Sequence, residues 1–127
     1  MPSHTIDITP VSKPRMTQRD RWKERQVVKK YRAFCDELRL LLPLKMRRPM
    51  LDESIHEIDI TFHIPMPEKS WSKKKRAELE GKPHQQKPDI DNLLKAWMDC
   101  LYRNDAVIWK VQASKLWSVK GSIEVRL

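Results

Sequence analysis

Glycine, cysteine and long apolar runs are all scarce in this chain of 127 residues. Two glycines are too few for a glycine-rich phosphate loop, a collagen-like repeat or a flexible glycine linker. The most apolar run, residues 38–46, contains an arginine, a proline and a lysine, so it is too short and too charged to cross a bilayer. The first ten residues lack the basic and apolar regions of a signal peptide. We therefore expect a soluble protein of the cytoplasm that does not contact membranes.

The two cysteines, Cys35 and Cys100, match no metal-binding spacing. Each falls within an apolar helical pattern, where an unpaired cysteine behaves as a small hydrophobic residue. We predict two buried, reduced thiols, which is the usual state of cysteine in a cytosolic protein.

Basic residues outnumber acidic ones by 26 to 17, which gives a formal net charge of +9. Nucleic acid, an anionic membrane surface and an acidic protein are all attracted to such a chain. A membrane-surface helix needs a strongly apolar face opposite its basic face, and the apolar helix faces here are better explained as core. Nucleic acid is therefore the favoured partner, and the length favours a single domain over 1–127.

Hydropathy periodicity predicts an α+β fold, a small mixed sheet with two main helices packed on it. The last two strands alternate on either side of Lys120–Gly121 and are predicted to form a terminal hairpin. Asp91 or Asn92 is the expected cap of the second long helix. The predicted elements, in order, are a strand (5–9), a long helix (22–42), a strand (56–64), a short helix (70–80), a second long helix (91–103) and two strands (107–111 and 123–127).

The segment that carries chemistry runs from Asp89 to Asp105. Asp89 and Asp91 are two residues apart, so in an extended approach their carboxylates would share a face. Lys95 lies one helical turn beyond Asp91, and Asp105 follows the helix. Clustered carboxylates in a basic protein suit a hard divalent cation, Mg²⁺ or alternatively Mn²⁺, which assists phosphodiester hydrolysis.

The same residues also have a purely structural interpretation. Asp91 is an ordinary helix cap, and Asp89 is a favourable charge at a helix N-terminus. Lys95 is a solvated helix charge whose simplest ion-pair partner is Asp99, four residues further on. The spacing of these residues alone leaves both interpretations open.

The string D-I-D-N-L-L-K at 89–95, followed by an apolar helix and N-D-A-V-I-W at 104–109, resembles the RusA family of Holliday-junction resolvases. The resemblance implies a small, dimeric, metal-dependent DNA endonuclease. It places Asp89, Asp91 and Lys95 on the catalytic positions, with Asp105 as the third carboxylate of the metal site. Asn104 departs from the pattern, because compact members carry an acid there. The segment 69–88 is similar to a phage-type subset of the family.

Two basic stretches then become candidate contacts to DNA phosphates. One lies in the early loop and the other surrounds Trp71, which either stacks on an unpaired base or packs in the core. A solvated basic face is the alternative explanation of both stretches. Trp22, Trp97, Trp109 and Trp117 are predicted to be core residues. The candidate DNA-binding residues are Lys13, Arg15, Arg19, Lys69, Lys73, Lys74, Lys75 and Arg76.

The resemblance thus predicts a homodimer that resolves four-way DNA junctions by paired, Mg²⁺-dependent nicks. No small-molecule cofactor is expected, and the place of action would be the cytoplasm of a bacterial cell or a phage-infected bacterium. Two alternatives stay open. One is a basic DNA-binding protein without catalysis, and the other is a nuclease that acts on flaps or forks.

Overall fold

The computed structural model of the chain describes residues 3–18, 25–43, 46 and 57–126. In this part of the chain, no helix is long and apolar enough to cross a membrane. A short 3₁₀ turn, Asp105–Val107, occupies the start of the strand predicted over 107–111, so the bounds of that prediction are wrong and the third strand begins only at Lys110. The other elements, in chain order, are β1 (Ser3–Ile6), α1 (Gln26–Leu41), β2 (Glu57–Pro65), α2 (Lys73–Leu79), α3 (Ile90–Leu101), β3 (Lys110–Ser118) and β4 (Ser122–Arg126).

Four strands form one mixed sheet in the order β1-β4-β2-β3. Strand β2 runs parallel to β3 and antiparallel to β4, and β4 is antiparallel to β1. Alternate residues of β2 are buried because one face of the strand packs into the core: Ile58, Ile60, Phe62 and Ile64. The α+β class and the mixed sheet predicted from hydropathy are confirmed.

The predicted terminal hairpin is wrong, because β2 lies between β3 and β4. The connection passes over the end of β2, where the Met66 amide donates to the Ser118 carbonyl at 2.9 Å. Gly121 makes this crossing possible, since a Cβ there would lie 2.8 Å from the Thr9 Cα. Alternation reveals which face of a strand is buried, but it does not reveal which strands are neighbours.

The helices cover one face of the sheet and fill the core with large side chains. Trp97 on α3 is fully buried, and Trp117 on β3 is nearly so, as predicted. Trp109 is 70% exposed, so its assignment to the core is wrong, and Trp22 lies outside the described residues. On α1, Val27 and Leu41 are apolar but exposed, so they do not belong to the buried stripe.

Cys35 and Cys100 form a disulfide, so the prediction of two reduced thiols is wrong. The buried stripes of α1 and α3 face each other and bring the two Cα atoms to 5.3 Å. Each cysteine was correctly assigned to an apolar helix face. The sequence pattern did not show that these two helix faces contact each other, so the disulfide was not predicted.

Protein purified without reductant should therefore show no titratable thiol after unfolding. The bridge closes a sequence separation of 65 residues, so chain entropy gives a stabilisation of about 4 kcal/mol. Urea unfolding with and without reductant measures this difference. The double variant Cys35→Ser/Cys100→Ser is the control, because reductant should leave its stability unchanged. Two reactive thiols in the wild-type protein would contradict the bridge.

Candidate active site

Helix α3 begins at the acidic motif. Asp89 is its N-cap residue, with extended φ and ψ of −71° and 144°, and Asp91 lies in the first turn. The cap is therefore Asp89, and the predictions of Asp91 or Asn92 as the cap are wrong. The extended backbone also ends at Asp89, so the two carboxylates do not share an extended face. Both stand instead at the positive end of the helix dipole, which stabilises negative charge.

The four motif side chains are not engaged in structural contacts. Asp89 caps α3 by position only, because its carboxylate accepts no hydrogen bond from the first turn. Among the described residues, Asp91, Lys95 and Asp105 also have no side-chain hydrogen bond or ion pair, and all four motif residues are exposed. An aspartate at the start of a helix usually accepts a hydrogen bond from the first turn. Because the carboxylates here accept none, they remain available for another role.

Asp99 does not pair with Lys95 as the sequence suggested. Its carboxylate accepts a hydrogen bond from the Tyr31 hydroxyl at 2.6 Å and pairs with the Lys13 ammonium at 3.2 Å. Burial acts to raise the pKa of Asp99, but the Tyr31 and Lys13 contacts outweigh it and hold the pKa below its ordinary value. Asp99 is therefore an anchor for the early loop, and this role was missed.

Lys95 lines an open cleft of about 520 Å³ together with the early loop. The Lys13 amide donates to the Asn92 carbonyl at 3.1 Å, so the loop is attached directly to the first turn of α3. The cleft is lined by Lys13, Pro14, Arg15, Met16, Asn92 and Lys95. Three cations at its wall suit an anionic polymer.

The segment before Asp89 is attached to the outer edge of β3. The Gly81 amide donates to the Trp117 carbonyl at 2.8 Å, and the His84 amide donates to the Lys115 carbonyl at 3.0 Å. The segment runs antiparallel to β3, as the bridge between Pro83 and Leu116 shows. Its continuation therefore heads toward the N-terminal end of β3, the end that follows Asp105.

Asp105 opens the 3₁₀ turn before β3 and is exposed. Asn104 caps this turn, since its side-chain oxygen accepts from the Ala106 amide at 3.1 Å. The residue that departs from the family pattern therefore has a structural role here.

The three carboxylates do not form a closed cage. Within the described ranges, which include all three, no group of three His, Cys, Asp or Glu side chains is close enough to hold a metal ion. Asp89, Asp91 and Asp105 nevertheless fit a hard cation in donor type and in accessibility. Mg²⁺ is usually held by one or two protein carboxylates, with water and substrate phosphate completing the shell. The fit is thus one of open ligands, not of a preformed three-carboxylate site.

Comparison with protein families matches residues 7–127 to the family described as endodeoxyribonuclease RusA. The chain belongs to the RusA family. The match covers essentially the whole chain, far more than the motif at 89–109. This RusA-family protein is therefore an endodeoxyribonuclease of the kind that resolves Holliday junctions. A search of curated proteins gave no match.

The second basic stretch of this RusA-family chain lies on and before α2. Lys69, Lys73, Lys74 and Lys75 are exposed, and the Lys75 ammonium also lies 4.2 Å from the centre of the Trp71 ring. Arg76 is half-buried, so it is less accessible to DNA than its neighbours. Arg19, predicted to contact DNA from the early loop, lies outside the described residues.

Trp71 and His84 pack against Trp117 and anchor α2 to β3. The Trp71 and Trp117 ring centres are 4.7 Å apart, and the His84 ring centre lies 4.2 Å from that of Trp117. His84 is buried, and burial, with a smaller contribution from the Lys115 charge, lowers its pKa. The core interpretation of Trp71 is supported by these contacts.

Replacing Asp99 with asparagine should lower the free energy of unfolding at neutral pH. We expect a loss of about 1 kcal/mol, because the charged hydrogen bonds are lost at a half-exposed, partly screened site. A carboxylate whose pKa is lowered by folding stabilises the fold at any pH above its pKa in the unfolded chain, 3.8 for Asp99. This stabilisation is lost as the pH falls through the lower pKa of the folded state. The difference between the two proteins should therefore shrink in acid, as measured by urea unfolding across pH.

Asp7→Asn is the matched control, because it removes an exposed pair with Lys120 at 3.7 Å. This substitution should change stability by less than about 0.5 kcal/mol. Equal losses from both variants, or a loss for Asp99→Asn that does not depend on pH, would contradict the anchoring role of Asp99.

Proposed function

We propose that the protein is a homodimeric, Mg²⁺-dependent nuclease that cuts four-way DNA junctions by paired nicks. The supporting observation is the set of open side chains at the start of α3 in a RusA-family chain. Asp89, Asp91 and Lys95 are exposed, and their side chains have no partners among the described residues. Carboxylates held free of structural contacts, beside a basic cleft, suit a metal-dependent reaction on an anionic substrate.

Asp89 and Asp91 would hold the ion, and Asp105 would supply the third carboxylate. When bound, Mg²⁺ supplies Lewis acidity, which polarises the phosphate and activates water for attack. Mn²⁺, with its similar preference for oxygen ligands, would serve in the same position.

Lys95 would offset the negative charge that develops on the phosphate during hydrolysis. Its ammonium shares the cleft wall with Lys13 and Arg15, which would hold the DNA backbone beside it. Lys69, Lys73 and Lys74 would extend this contact from α2, since they are exposed and carry no acidic partner among the described residues. Arg19, Lys75 and Arg76 complete the proposed contact set. These contacts give affinity without sequence specificity.

The homodimer is what the resemblance to the RusA family implies, and the symmetry of the proposed substrate is consistent with it. A four-way junction with two-fold symmetry presents two equivalent scissile phosphates, so two identical sites related by a dyad suit it. Activity on DNA in a bacterial cytoplasm, of a cell or of a phage-infected cell, is part of the same proposal.

Asp91→Asn should abolish junction cleavage in Mg²⁺ while leaving junction binding intact or tighter. The substitution removes a ligand charge without adding bulk, so several kcal/mol of transition-state stabilisation are lost. That loss corresponds to a rate reduction of at least about 100-fold. Single-turnover cleavage and gel-shift assays on one labelled junction measure the two effects.

Asp36→Asn makes the same chemical change on α1, where the one ion-pair partner of Asp36 in the described part of the chain is Arg39 at 3.6 Å. This control should cleave normally. The loss of cleavage rate in Asp89→Asn and in Asp105→Asn measures how much each of the other two carboxylates contributes to the reaction. Wild-type cleavage by Asp91→Asn would show that the site assignment is wrong.

A cruciform plasmid should be converted directly to linear product, because both nicks fall within one binding event of a dimer. Accumulation of nicked circles would instead indicate independent single cuts. Fork, flap and linear duplex substrates, tested under the same conditions, should be cut more slowly than the junction. Preference for a flap or fork, or band shifts without any cutting, would favour the two alternative functions.

A further inference from the structure

Lys115 is the one basic residue on the face of β3 that packs toward the helices. The parallel register pairs Lys115 with Phe62 and Trp117 with Ile64, and both β2 residues are buried. Lys115 itself is half-buried. A lysine beside these buried residues loses part of its contact with water, so its ammonium requires other hydrogen-bond acceptors.

Two backbone carbonyls compensate this charge. The Lys115 ammonium donates to the Gln86 carbonyl and, at 2.8 Å, to the Pro88 carbonyl. It forms no ion pair with any acid in the described residues. Both acceptors belong to the segment that leads directly into Asp89, so the ammonium holds this segment from the side of the sheet.

The position of the two acceptors matters because the backbone pairing with β3 stops at His84. From residue 85 to residue 88, the two bonds from Lys115 are the only backbone hydrogen bonds that the structure describes. Pro88 is the last residue before the N-cap, Asp89. One side chain therefore supplies the described hydrogen bonds that hold the last residues before α3.

We propose that Lys115 is a positioning residue for the metal-binding aspartates of this nuclease. By holding the carbonyls of Gln86 and Pro88, it sets the orientation of Asp89 and the first turn that carries Asp91. This inference rests on the proposed function of the two carboxylates. Lys115 itself does not touch the substrate or the ion.

The test compares Lys115→Met with wild-type protein by titration of Mn²⁺ in the absence of DNA. Methionine keeps the apolar length of the side chain and removes the three N–H donors. We expect Mn²⁺ affinity to fall by about 10- to 100-fold, as for other residues that orient metal ligands. Junction cleavage should require correspondingly more Mg²⁺, whereas junction binding in Ca²⁺ should stay within about twofold of wild type because the basic residues proposed to contact DNA are unchanged.

Lys115→Arg is the second variant in this test. It keeps the positive charge and the N–H donors, but places them in a planar group. It should recover part of the Mn²⁺ affinity that Lys115→Met loses. Lys29→Met, on the exposed surface of α1, makes the same change away from the acidic segment and should behave as wild type. Thermal unfolding of every variant provides the measure of fold integrity.

Wild-type Mn²⁺ affinity in both Lys115 variants would overturn the proposal. It would also be overturned if cleavage fell only in proportion to lost thermal stability, with Mn²⁺ affinity unchanged, because that pattern is purely structural. Asp91→Asn, titrated in parallel, separates the two proposals. If Asp91→Asn bound Mn²⁺ and cleaved as wild type, the proposed metal site would fail independently of Lys115.

Discussion

The attachment of residues 81–88 to the outer edge of β3 is the constraint on which the acidic site depends. Backbone hydrogen bonds hold the first half of this segment, and the Lys115 ammonium holds the second half. Strand β3 also begins shortly after Asp105. One strand therefore holds the segment that enters α3 and directly follows the turn that carries Asp105. Strand β3 is itself held by its parallel pairing with β2, a strand with one face buried in the core.

A second constraint concerns charge. The protein carries a large positive excess, yet its motif carboxylates have no cationic partners among the described residues. Two of the nearby cations have other partners, because Lys13 pairs with Asp99 and Lys115 donates to backbone carbonyls. This separation keeps the aspartates exposed at the positive end of α3. It also leaves Lys95 facing the basic cleft.

Local patterns predicted the order of the elements, but they misplaced two strands and did not predict which strands are neighbours: β1 lies at Ser3–Ile6 instead of 5–9, and β3 at Lys110–Ser118 instead of 107–111. The alternation of β2 and the helical stripe of α3 identify buried faces, because burial follows the period of each element. Which faces meet depends on contacts between residues far apart in sequence. For this reason the hairpin was predicted incorrectly, and Cys35 and Cys100 were assigned correct faces without their bond.

The candidate site shows the same division. Asp89, Asp91 and Lys95 were identifiable because their spacing within one helix start is local. Lys115 was missed, although the sequence contains a clue to it. Lys115 lies on the same face of its strand as Ala113 and Trp117, where a charged residue is unusual. Its acceptors lie almost thirty residues earlier in the chain, at a separation of 27 from Pro88. Local reasoning contains no information about such a contact.

The exposure of Trp109 has a practical consequence for spectroscopy. Its indole is 70% exposed and stands between Asp105 and β3, whereas Trp97 and Trp117 are enclosed in the core. An indole in water and one in an apolar interior emit at different wavelengths, so the red edge of the intrinsic fluorescence carries a contribution from Trp109. Among the described tryptophans Trp109 is the most exposed, so the difference in iodide quenching between the wild-type protein and Trp109→Phe would report on the end of the sheet next to Asp105, without any attached dye.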